Sequence, residues 1–177
     1  EKDFKHHQVK IPSFQSEKRI TLIIGLNGSG KSTLLKSMAN LYHYKGDITK
    51  EASMMYTDEH MRFPSHMKID EYLNLLLKMS PDGSKDMKES LMFQYNLDQH
   101  KNKKFKELSK GMKQKVNLIQ ALMENKALYL LDEPMSGLDL DAQIHFINHL
   151  KISKKQYVIA THKEEQYDSL NVNKVYL

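Results

Sequence analysis

One stretch constrains this chain more than any other: Gly25-Leu26-Asn27-Gly28-Ser29-Gly30-Lys31-Ser32-Thr33. An apolar run, Ile20-Thr21-Leu22-Ile23-Ile24, leads into it. Leu34, Leu35 and Met38 follow at helical spacing. The run reads as a buried strand and residues 32–40 as a helix, so the glycines occupy a strand-to-helix turn. Such a turn curls backbone N–H groups inward onto an anion, and the helix N-terminus adds partial positive charge. Lys31 is then placed for the β- and γ-phosphates of a nucleotide, and the Ser32 hydroxyl for Mg²⁺. A glycine-rich turn that binds nothing is the bland alternative, and GxxxxGK[ST] spacing between a strand and a helix argues against it.

The rest of the chain alternates in texture. Residues 9–11 look like the remains of an early strand closed by Pro12, and Lys45-Gly46-Asp47 is a turn before a short strand at 54–56. A charged loop at 57–67 leads to an amphipathic helix over 70–79, with Tyr72, Leu73, Leu76 and Leu77 as its apolar stripe. Residues 80–83 stop it, and a second helix covers 86–95. Ser109 caps a third, running to about Met123 with Met112, Val116, Ile119, Leu122 and Met123 inward. Strands at 128–131, 157–160 and 175–177 then alternate with a helix at 141–150. The pattern predicts an α/β fold, a mainly parallel sheet (residues 1–58 and 123–177) with a helical subdomain inserted at about 59–122. Parallel sheets place working loops at the strand carboxyl ends, where residues 25–33, Asp132-Glu133 and Thr161-His162 all fall.

Composition narrows the partners. The 177 residues suffice for one domain with its own core, and no apolar run approaches the ~18 residues that span a bilayer. No direct membrane insertion is therefore expected. The absence of cysteine excludes disulfides and thiolate chemistry and suits a cytosolic protein. A net charge of +5 favours an anionic partner, and it is densest at Lys101-Asn102-Lys103-Lys104-Phe105-Lys106. That run reads better as a solvated loop than as a lipid or nucleic-acid patch. No zinc finger, base-reading helix or aromatic platform is present, so no nucleic-acid partner is expected.

Further motifs fall in order downstream. Leu128-Tyr129-Leu130-Leu131 ends in Asp132 and Glu133, the first placed to hold Mg²⁺ and the second to orient or deprotonate an attacking water. Leu108-Ser109-Lys110-Gly111-Met112, Ser136-Gly137-Leu138-Asp139 and His162 complete the set. Together they resemble the nucleotide-binding domain of ATP-binding cassette (ABC) proteins. Residues 108–112 resemble the signature LSGGQ with Lys110 for its first glycine and Met112 for its glutamine. Residues 136–139 resemble the D-loop, and His162 the switch histidine. The resemblance covers nearly the whole chain.

It implies ATP and Mg²⁺ as cofactors and two copies paired head to tail, each nucleotide between one subunit's phosphate loop and the other's signature. Asn27, Gly28, Ser29, Gly30, Lys31, Ser32 and Thr33 would hold the phosphates. Ser109 and Gly111 would reach the γ-phosphate from the opposite subunit, and Asp139 would couple the sites. Lys31, Glu133 and His162 would be the catalytic residues, with Glu133 the general base; Ser32 and Asp132 would hold Mg²⁺. The family's Q-loop glutamine is replaced, with Asp58 at its place as a third metal candidate and Glu59 as the other choice. Phe4 is the candidate for stacking on adenine. The signature form Ser-Lys-Gly-Met-Lys-Gln is similar to the drug and bacteriocin exporter branch. Met54, Met55, Met61, Met67 and Met79 either fill gaps or help receive a permease.

The expectation is an ATPase subunit, cytoplasmic and peripheral on the inner face of the cell membrane, that powers a separate integral membrane permease. It would work as a homodimer or with a paralogous ATPase subunit. A soluble ABC translation or chromosome-maintenance factor and a non-hydrolysing nucleotide-gated module are the alternatives. The short span between Lys31 and Ser109 leaves no room for a chromosome-maintenance coiled coil, and Glu133 with His162 argues for hydrolysis.

Overall fold

A computed structural model describes residues 2–4, 7–9, 15, 18–49, 53–80 and 82–177. The chain divides into two compact units. An α/β unit comprises Glu1–Asp58, Ala127–Glu133 and Lys154–Leu177; a helical unit comprises Glu59–Lys126 and Pro134–Ser153. Residues 134–153, expected with the α/β core, group by their contacts with the helices.

In the α/β unit, β1 (Lys2–Phe4) and β2 (His7–Val9) form a small antiparallel pair. The early strand expected at 9–11 overlaps β2 only at Val9, and its remainder lies outside the described residues. The main sheet contains β3 (Ile20–Ile24), β4 (Met54–Thr57), β5 (Leu128–Asp132), β6 (Gln156–Thr161) and β7 (Asn173–Tyr176). Its order is β4-β5-β6-β3-β7, and every neighbouring pair is parallel. Every position of β3 and β5 is buried, which explains why they read as unbroken apolar runs rather than alternating ones. Helix α1 (Lys31–Met38) lays Leu34, Leu35 and Met38 against Ile23, Leu128, Leu130, Val158, Ala160 and Val175. The alternate spacing of Leu128 and Leu130 along β5, and of Val158 and Ala160 along β6, is the period-two signature of one sheet face. Burying each such side chain is worth about 1.5–3 kcal/mol.

Register converts this sheet into a site. Ile24 pairs with Thr161, Asp132 with Ala160, and Thr57 with Leu131. One residue further along each strand, Gly25 comes level with His162, Glu133 with Thr161, and Asp58 with Asp132. These six residues therefore emerge from one carboxyl edge.

In the helical unit, α4 (Lys110–Leu122) packs on α2 (Ile69–Met79) and α3 (Lys85–Gln94), and α5 (Leu140–Ile152) follows residues 134–139. Ser84, Ser109 and Asp139 cap α3, α4 and α5 by accepting from Met87 N, Met112 N and Ala142 N. The buried Lys88 Nζ ties α3 to α2 through Asp70 Oδ1 (2.8 Å) and Asn74 Oδ1 (2.9 Å).

The lysine-rich run is more ordered than a loop. Backbone hydrogen bonds from Phe105 to Met67, Lys106 to Ser65, Ile69 to Lys103 and Asp70 to Lys101 strap it to residues 65–70. Phe105 turns inward, stacks on Phe63 at 4.5 Å and meets Tyr72 edge-on. Lys101, Lys103 and Lys106 stay exposed. Met61 and Met79 are exposed, whereas Met54, Met55, Met67 and Met112 are half-buried.

Candidate nucleotide site

The phosphate loop has the shape that its glycines predict. Gly28 and Gly30 sit at φ of 88° and 104°, and Gly30 is the left-handed N-cap of α1. An L side chain at either position would be strained. Ser29 N donates to Leu26 O, and Leu34 N closes the first helical bond to Gly30 O. Ser29 Oγ is buried with no hydrogen-bond partner among the described residues, a donor held ready for an acceptor. Lys31, nearly fully buried, folds back to donate to Gly25 O (2.8 Å) and Leu26 O (3.1 Å). Phosphate oxygens would be stronger acceptors for this ammonium than neutral carbonyls.

Glu133 follows β5 at φ 46°, left-handed for a residue with a side chain. Its N–H donates to Ala160 O, continuing the β5–β6 ladder. Its Oε1 lies 2.8 Å from His162 Nδ1 and 3.9 Å from Lys31 Nζ. Glu133, His162 and Lys31 thus form one cluster, with the carboxylate buried and the imidazole partly open to solvent. Burial drives the Tyr167 phenol well above its usual pKa, and the Glu133 charge adds to that rise.

Asp132 is buried at the end of β5, and Ser32 is exposed in the first turn of α1. A hydroxyl and a carboxylate are the hard oxygen donors that Mg²⁺ takes when substrate phosphates and water complete its shell. Asp58 is already engaged: Lys36 Nζ lies 2.7 Å from its Oδ2, and Tyr56 donates to the same oxygen at 3.3 Å. The hydrogen bond to Asp58 raises the Lys36 pKa, with Asp132 contributing less. Glu59 is occupied elsewhere, accepting from Ser136 Oγ at 3.1 Å within the helical unit. The side chain of Phe4 lies outside the described residues.

The helical unit carries the second group of predicted residues. Ser109 Oγ caps α4, and the first helical amides, those of Lys110 and Gly111, have no acceptor within the helix. That is an anion-ready N-terminus. Asp139 uses both carboxylate oxygens inside the chain, Oδ1 for Ala142 N (2.9 Å) and Oδ2 for Lys115 Nζ (2.6 Å). The hydrogen bond from Lys115 is the main cause of its lowered pKa.

The family model described as ABC transporter matches residues 12–136. The chain belongs to that family. It is 34% identical over 139 residues to an uncharacterized ABC transporter ATP-binding protein, YthP, of Bacillus subtilis, covering 76% of this chain and 59% of YthP. It is 30% identical over 164 residues to the SkfA peptide export ATP-binding protein SkfE of Bacillus subtilis, covering 82% of this chain and 68% of SkfE. With the tungstate uptake system ATP-binding protein TupC of Campylobacter jejuni it shares 33% identity over 180 residues, 90% of this chain and 53% of TupC. The chain thus spans little more than half the length of several curated relatives it matches. A solved ATP-binding subunit of an ABC transporter superposes with a TM-score of 0.74 at 24% identity, covering 89% of this chain and 76% of that one, and shows the same fold.

For an ABC nucleotide-binding domain, the residues that sequence reasoning missed are Gln114, Lys115, Lys36 and Tyr167. Lys115 had a readable signal, since it precedes Ile119 and Leu122 by helical steps of four and seven and so falls on the apolar face. Gln114, Lys115, Asn117 and Gln120 are all buried polar residues of α4. Lys36 and Tyr167 had none, because their partners are far off in sequence.

Proposed function

We propose that this chain binds ATP with Mg²⁺, hydrolyses it, and powers an integral membrane permease by ATP-driven head-to-tail pairing with a second cassette. The observation that carries the reading is the cluster of Lys31, Glu133 and His162, with Oε1 of Glu133 at 3.9 Å from Lys31 Nζ and 2.8 Å from His162 Nδ1. Ser29 Oγ, Lys31 and the amides of residues 28–33 would hold the phosphates, and Ser32 with Asp132 would hold the metal. ATP supplies the bond that is cleaved and Mg²⁺ the charge that offsets its phosphates. Lys31 leaves the carbonyls of Gly25 and Leu26 for the β- and γ-phosphates. Glu133 accepts the proton of the attacking water, and His162 holds the carboxylate in line for it. The N-terminus of α4, with Ser109 and Gly111, would present its amides to the γ-phosphate held by the partner subunit. Its loss on hydrolysis then removes the contacts that keep the pair closed.

Export is the direction we favour, on the likeness of residues 109–114 to the exporter branch and on the similarity to SkfE, although TupC serves uptake. Glu133→Gln is the test. An amide keeps the shape but cannot take the proton, so turnover should fall about 100-fold or more. ATP binding should persist, and an ATP-trapped dimer should appear in light scattering. Hydrolysis at the unmodified rate would remove Glu133 as the base.

A further inference from the structure

Residues 134–139, which include the D-loop-like residues 136–139, are held by one turn of the signature helix. At the start of the loop, Gln114 Nε2 donates to Pro134 O at 3.0 Å, and at its end Lys115 Nζ reaches Asp139 Oδ2 at 2.6 Å. Between them the backbone turns at Gly137 (φ 73°), whose carbonyl sits so close to α4 that a Cβ on Gly111 would be 2.7 Å from it. The alkyl stem of Lys110 flanks the same glycine. The Lys115 side chain is only 11% exposed. Burying an ammonium costs several kcal/mol unless a counter-charge meets it, and an apolar residue would fill that face of α4 more cheaply. The charge therefore has a use beyond packing.

We propose that Lys115 is a positioning residue for ATP hydrolysis: it joins the D-loop to the signature helix, so that Ser109, Gly111 and the D-loop approach a nucleotide as one rigid block. This rests on the ATPase reading above. Because Lys115 and the Ala142 amide occupy both oxygens of Asp139, that carboxylate works as an anchor, and the exposed Gly137 turn is the part offered outward.

Lys115→Met keeps the buried stem and removes the charge. It leaves Asp139, already 58% exposed, to water, so the variant should fold. In the full chain, MgATP affinity by calorimetry should stay within about twofold, while kcat falls about tenfold or more, as expected when reacting groups are misplaced without losing binding. Amide exchange at residues 136–139 should accelerate, and Lys115→Arg should restore both kcat and protection. A Lys115→Met chain with unchanged kcat and unchanged exchange, or with a lower Tm alone, overturns the proposal. An unmodified chain that hydrolyses no ATP would instead overturn the ATPase reading, and the exchange measurement would then decide the clamp by itself.

Discussion

Gly111→Ala puts a single methyl where the structure leaves no room. The added carbon would stand 2.7 Å from Gly137 O, a backbone atom that no side-chain rotation can move aside. Either α4 or the D-loop must shift, and overpacking of this kind costs about 1–3 kcal/mol. Alanine returns about 0.5–1 kcal/mol through its better helix propensity. At the middle of both ranges the balance is a loss of about 1 kcal/mol, which for a chain of this length lowers Tm by about 2–4 °C. The measurement is a thermal melt of the purified chain without nucleotide, where no phosphate contact can contribute. A Tm equal to or above that of the unmodified protein would refute the close approach and with it the seat of the D-loop. The same contact disqualifies Gly111→Asp as a simple signature lesion, because it would displace the D-loop before any phosphate is repelled. Ser109→Asp is the cleaner choice, since aspartate preserves the N-cap while setting a charge against the γ-phosphate.

That lesion serves the test of a composite site. A Lys31→Ala chain mixed with a Ser109→Asp chain should recover ATP-dependent dimerisation that neither shows alone, since one of the two interfaces collects neither defect; no heterodimer from two folded proteins would count against a homodimer. His149 gives a pH prediction. Burial lowers its pKa below the ordinary value near 6.5, so the unfolded chain binds the proton first, and stability is complete above about pH 6.5 and declines as pH falls through that value. Between about pH 7.5 and 5.5 the Tm should drop more for the unmodified protein than for His149→Gln, and equal drops would rule His149 out as the source.

Much of this was legible in the sequence because the constraints were local. An unbroken apolar run, a glycine turn and a helix are contiguous, so β3, the phosphate loop and α1 follow from neighbouring residues. Ser109 announced the start of α4 through its cap. The parallel sheet then converted three separate strand ends into one edge, which periodicity and connection length together predict. What stayed hidden depends on register or on partners distant in sequence. The strap between residues 65–70 and 101–106 has no alternation to reveal it, since four lysines mask one inward Phe105. The grouping of α5 with the helices rather than with the sheet could not be read from its amphipathicity, which says only that one face is buried. Asp139 was legible as a motif residue and Lys115 as a lysine on an apolar helix face, yet their pairing was not, because 24 positions separate the two and no periodicity links them.

The pair formed by Lys36 and Asp58 is neutral in charge. If the family's uncharged Q-loop glutamine falls at Asp58 rather than at Glu59, this chain carries a carboxylate in its place, on a residue that the register brings level with Asp132. Two like charges about 4–8 Å apart cost about 2–4 kcal/mol at an effective dielectric near 20, before ATP adds its own negative charge. Lys36, 2.7 Å from Asp58 Oδ2, cancels the extra charge, so lysine and aspartate together present the same net charge as one amide. Lys36→Met should then weaken MgATP binding by about 5–10-fold, an effect discounted for the partial exposure of both side chains and reduced further by salt. Asp58→Gln should be milder, and the double variant should bind better than Lys36→Met alone, because it recreates the neutral glutamine. Calorimetric affinities for the four proteins give the coupling, expected at about 0.5–1 kcal/mol. Strict additivity would show that the two residues act independently. If Asp58→Gln is instead the most damaging of the three, the carboxylate itself meets the metal and Lys36 only holds its place beforehand.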